Sequence, residues 1–110
     1  MPSPPASAAG ILLLTGMNKD DELSRRRESE RGNKARQIID NPLWDEAWTA
    51  LESKLMDAWK SSQTGQMERR ELIYLQLRAA AEVRGHIETV LETGQLAEMQ
   101  LNEQQREQHS

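Results

Sequence analysis

PLWDEAWTALESKLMDAWKSSQTGQMERRELIYLQLRAAAEVRGHIETVLETG, residues 42–94, is the stretch that decides the fold. At 100° per residue, Trp44, Ala47, Trp48, Leu51, Leu55, Ala58 and Trp59 fall within a stripe about 120° wide, with Asp45, Thr49, Glu52, Ser53, Asp57 and Lys60 on the remaining surface. That separation predicts an amphipathic helix over 42–60. Pro42 suits the first helical position, Asn41 or Asp40 is placed to cap it, and Asp45 and Glu46 put negative charge at the positive end of the dipole. Residues 61–65, SSQTG, are short and polar, so the next helix must return antiparallel. Thr64 or Gly65 is its expected cap, and Gly94 reads as the usual left-handed stop.

This second helix, over 66–93, carries Leu72, Ile73, Leu75, Ala79, Ala80, Val83, Ile87, Val90 and Leu91 across about 160° of its surface. Tyr74 and Leu77 fall on the other side. One facing helix cannot cover so broad a band. At 1.5 Å per residue the two helices are about 28 Å and 42 Å long, so the longer one overhangs beside the start of the shorter, near 86–91. Ile38 and Ile39, on a turn or two of helix beginning near Gly32-Asn33, are placed to reach that overhang. The expected fold is therefore all-α: an antiparallel two-helix hairpin with a short N-terminal helix and flexible termini, which oligomerises to complete its core. Trp44, Trp48, Leu51, Leu55, Trp59, Leu72, Leu75, Val83, Ile87 and Val90 form the expected shared core and oligomer interface. A tryptophan stripe at helical spacing is read as packing rather than as a ligand surface. A four-helix dimer and a ring of hairpins are the two arrangements that follow.

Composition agrees with a helical chain. Among 110 residues there is no phenylalanine, one tyrosine and 29% charged side chains, poor material for a β-sandwich. Cysteine is absent, which rules out disulfides and thiolate metal sites, and only His86 and His109 offer imidazole, so no metal or other cofactor is expected. Three segments are anticipated: a charged, disordered arm over 1–32, the hairpin domain over 33–94 and a polar tail over 95–110. The first sixteen residues are Pro/Ser/Ala-rich and end in the apolar run 11–14. That run is too short for a signal peptide or a membrane span, and the composition changes so abruptly at Met17 that it is an alternative start.

Residues 25–36 hold six cations, Arg25, Arg26, Arg27, Arg31, Lys34 and Arg36, against Glu28 and Glu30. Read functionally, they form an electrostatic arm for phosphate backbones, with affinity falling steeply as salt rises. Read as structure, they are a solvated helical leader. With no aromatic side chain beside them, base stacking is not expected. Leu96, Met99 and Leu101 offer a short third helix in the tail. Read as structure the tail is frayed and solvated, and read functionally it becomes ordered on a larger partner through these three residues. Catalysis has little to rest on. Glu82 and His86 lie one turn apart, but there is no phosphate loop and no HExxH pattern. Arg69 and Arg70 oppose the dipole of their helix, and Asp57 across the turn, or another subunit, is the expected partner.

The features "NPLW-x-x-AW" at 41–48, "AWK" at 58–60, "ER-x-E-x-I-Y" at 68–74 and "ETG-x-L" at 92–96 are carried within residues 35–101. In these the chain resembles short helical-hairpin proteins encoded by tailed bacteriophages near packaging and capsid genes. Its layout resembles that of small terminase subunits: a basic N-terminal part, an oligomerising helical hairpin and a polar tail for the large subunit. It departs from the commoner small terminases in having no N-terminal helix-turn-helix, which leaves only the arm at 25–36 for DNA. The resemblance implies a non-enzymatic homo-oligomer in phage DNA packaging or head assembly. It would bind DNA non-specifically, together with a larger packaging or capsid protein, in the host cytoplasm and away from the membrane. The alternative is a helical adaptor or regulator that binds a protein partner without nucleic acid.

Overall fold

A computed structural model describes residues 18–109, and in them the backbone is helical throughout apart from short connections. The helices are α1 (Lys19–Ile39), α2 (Pro42–Ser61) and α3 (Met67–His109). The Pro/Ser/Ala-rich start, its apolar run at 11–14 and the alternative start at Met17 lie outside the described residues.

Local chemistry accounts for each boundary. Asn18 caps α1, its side-chain oxygen accepting from the Asp21 N–H at 2.8 Å, and Asp20, Asp21 and Glu22 fill the first turn. Ion pairs within the helix, Arg26–Glu22 at 2.8 Å and Arg25–Glu28 at 3.1 Å, hold its otherwise polar surface. Only Asp40 and Asn41 separate α1 from α2. Asn41 is extended because Pro42 follows, and its side-chain oxygen accepts from the Leu43 N–H at 3.0 Å. At the other end, the Ser62 N–H and hydroxyl both donate to the Trp59 carbonyl. Gln66 then opens α3: its carbonyl accepts from the Arg70 N–H, and its side-chain oxygen accepts from the Gln63 N–H at 2.9 Å. Gln66 thus takes the role expected of Thr64 or Gly65.

Two expectations about helix limits are corrected. The helix before Asp40 does not begin at Gly32-Asn33 but at Lys19, and α3 does not stop at Gly94 but continues to His109. The expected boundaries after 32 and 94 therefore fall inside helices, and the separate tail helix at 96–101 is a continuation of α3. A single contact explains both. α1 lies against α3 more extensively than any other pair of helices touches, and Gly32 meets Gly94 at the approach. A Cβ on Gly94 would stand 2.5 Å from the Gly32 Cα and 2.8 Å from the Glu28 carbonyl oxygen. Ala35 and Ala97, three residues beyond each glycine, are 3% and 0% exposed. Glycine interrupts a helix in solution at a cost of about 1 kcal/mol, but here it lets two backbones come together.

α2 lies beside the first part of α3 through side chains. The Arg70 guanidinium sits 4.0 Å over the Trp59 ring, and Arg84 reaches Asp45 at 3.5 Å and Glu52 at 3.4 Å. Arg70 thus pairs with an aromatic ring rather than with Asp57. Ile73 is the buried residue of α3 here, and Leu77, expected on the far side, is half-buried with it. α2 itself has no buried residue. Ile39 is half-buried as expected, whereas Ile38 is exposed.

Candidate interaction surfaces

The six cations expected to act together are sorted by α1 into different environments. Arg25 is half-buried against Glu28, and Arg26 is held by Glu22. Arg27, Arg31 and Lys34 follow at i, i+4 and i+7, which places them within about 60° of one another along a ridge about 10 Å long. All three are exposed, and none has an ion-pair partner among the described residues. Arg36 is also exposed but lies on the opposite side of the helix. Docking of Gly32 and Ala35 against α3 turns the Arg27–Arg31–Lys34 ridge outward. From residue 19 on, the expected arm is helix docked against α3.

Beside this ridge runs a groove of about 210 Å³ lined by Glu28 and Arg31 of α1 and by His86, Thr89, Val90 and Thr93 of α3. His86 is exposed, and no hydrogen bond or ion pair joins it to Glu82, so the acid–base pair considered from spacing is not formed. Among the described residues no group of three His, Asp or Glu side chains is gathered to hold a metal ion.

The expected apolar interface divides into two halves. Trp44, Trp48, Leu55 and Trp59 of α2 and Ile87 and Val90 of α3 are half-buried. Trp44 and Trp48 pack edge to face, with ring centroids 5.2 Å apart. Leu51, Leu72, Leu75 and Val83 are exposed at 38%, 57%, 53% and 58%. Between α2 and α3 a groove of about 340 Å³ opens, with Trp48, Leu51 and Leu55 on one wall and Gln76, Ala79, Ala80 and Val83 on the other. Of the three expected tail contacts, Leu96 and Met99 are exposed at 56% and 66%, while Leu101 is half-buried on the side of Gly94 and Ala97. Leu101 is thus less open to a partner than Leu96 and Met99. No helix among the described residues is long and apolar enough to cross a membrane.

The residues that organise both surfaces, Gly32, Ala35, Gly94 and Ala97, escaped a reading based on large apolar side chains. Their signal was the repeated spacing Gly-x-x-Ala, once in α1 and once in α3. No family model, no curated protein and no solved structure matches the chain.

Proposed function

We propose that this is a non-enzymatic assembly protein of the phage DNA-packaging or head-assembly class, small-terminase-like in layout and acting in the cytoplasm of the infected host. In this reading α2 and α3 form an antiparallel hairpin that self-associates. Arg27, Arg31 and Lys34 bind the DNA backbone without reading sequence. Leu96 and Met99, exposed on α3, meet a larger packaging or capsid protein.

The observation that carries the proposal is the ridge of three cations without ion-pair partners among the described residues, on a helix docked against the one that carries most of the open apolar face. Three phosphates neutralised per copy correspond to a salt slope of about −2.7 in log K against log salt for duplex DNA, and more for an assembly acting as a unit. Self-association is supported by the half-exposed Leu51, Leu72, Leu75 and Val83. Covering them contributes about 1 kcal/mol each, so a pair of copies gains about 8 kcal/mol. That is comparable with the 4–15 kcal/mol that association costs in lost freedom, so further contacts must complete the interface.

The test is fluorescence anisotropy on duplex DNA over a salt series. Replacing Arg27, Arg31 and Lys34 by alanine is expected to abolish salt-sensitive binding, whereas replacing Arg25 and Arg26 leaves most of it. The open apolar face equally suits an adaptor that binds a protein and no nucleic acid. Absence of DNA binding by the unaltered protein at 50 mM salt would favour that reading and overturn the ridge.

A further inference from the structure

Along α3 one line of residues, Leu72, Leu75, Ala79 and Val83, continues at helical spacing into Val90, Gly94, Ala97 and Leu101. α1 covers the second part, where Gly94 and Ala97 are buried. The first part is bare, because α2 sits to one side, over Ile73, Leu77 and Arg84. The vacant line is therefore the continuation of a helix-packing surface already used within the chain.

We propose that it is filled by the same line of a second copy, packed antiparallel about a two-fold axis at Ala79. The inference rests on the self-association reading and specifies its contact. Three features make the surface self-complementary. First, Ala79 is small, and at a two-fold axis each residue meets itself, so a small side chain lets the helices close. Second, Leu75 and Val83 stand four residues to either side, so the axis brings Leu75 of one copy opposite Val83 of the other. Third, Arg78 and Glu82 flank the line on one side, are exposed, and have no ion-pair partner among the described residues. In an antiparallel two-fold pair the same flanks face each other. Arg78 then meets Glu82 of the second copy, and the contact is made twice. In a parallel pair this flank would instead face the opposite flank of the second copy, the Gln76 and Ala80 side on which α2 sits, and both complementary contacts are lost. Opposite charge across the rim thus selects this orientation.

The chain has no cysteine, so single introduced thiols report the geometry directly. In the full-length protein, Ala79→Cys is expected to give a disulfide-linked dimer on mild oxidation. Val83→Cys is not, because two copies of residue 83 stand about 12 Å apart along the direction of the helices, beyond disulfide reach. Leu75→Cys combined with Val83→Cys restores cross-linking. Arg78→Glu and Glu82→Arg each weaken dimerisation about tenfold by sedimentation equilibrium, and the double exchange recovers it. This recovery also separates a lost contact from a misfolded variant. If the unaltered protein oligomerises but Val83→Cys cross-links and Ala79→Cys does not, the two-fold pairing is wrong while self-association stands. A monomer at about 100 μM, a concentration corresponding to only about −5.5 kcal/mol, would overturn both.

Discussion

Adding one methyl group at Gly94 is the sharpest perturbation the fold offers. Its Cβ would lie 2.5 Å from the Gly32 Cα, 2.8 Å from the Glu28 carbonyl oxygen and 3.1 Å from the Gly32 nitrogen. All three are backbone atoms of α1, so no side chain can rotate away and the helices must separate by about 1 Å to reach ordinary contact. A gap of that size forfeits a quarter to a half of the dispersion energy between the facing atoms. Overpacking of this kind costs about 1–3 kcal/mol, and a backbone obstacle puts Gly94→Ala at the upper end. The substitution also removes a helix-interior glycine, which returns about 1 kcal/mol. The net expectation is a loss of about 2 kcal/mol. Gly85→Ala is the control, since nothing lies within 4 Å of its added Cβ. It keeps the propensity gain and should stabilise by up to about 1 kcal/mol. The two variants then differ by about 3 kcal/mol, or on the order of 10–20 °C in melting temperature for a domain of this size. Far-UV circular dichroism during thermal unfolding measures the difference. Hydrogen exchange should show protection lost chiefly in residues 19–39. If Gly94→Ala melts at or above Gly85→Ala, the close approach of α1 and α3 is refuted.

Three further outcomes follow from particular contacts. Arg70→Ala removes the guanidinium from the Trp59 ring and should cost about 0.5–2 kcal/mol with a change in tryptophan emission, whereas Arg70→Lys should retain part of both. Arg84 gathers Asp45, Glu52 and Glu88 at 3.4–3.6 Å but is partly solvated, so Arg84→Ala should lose no more than about 1 kcal/mol in chemical denaturation, and the loss should shrink in 1 M salt. Asn41→Ala removes the cap that receives the Leu43 N–H and should lower stability by about 1 kcal/mol, while Asn41→Asp should be nearly neutral.

The tryptophan stripe, the proline at position 42 and the polar turn at 61–65 were enough to place α2 and the beginning of α3. Each is a local pattern, read from periodicity and capping alone. The same local rules misplaced two limits: Gly32 looked like an interruption and Gly94 like a stop, since an isolated helix is weakened by glycine. Among the cations, sequence showed that 25–36 is basic. It did not distinguish Arg25 and Arg26, tied to carboxylates, from Arg27, Arg31 and Lys34, turned to solvent. That sorting depends on which face of α1 is docked. The docked face is set by residues with almost no side chain, whose contribution is the distance at which two backbones meet. Sequence by itself determined that the chain is helical and where its large apolar surface lies. Only the tertiary structure decided that α1 covers the far part of that surface and leaves the near part open, because a glycine's role is defined by what approaches it.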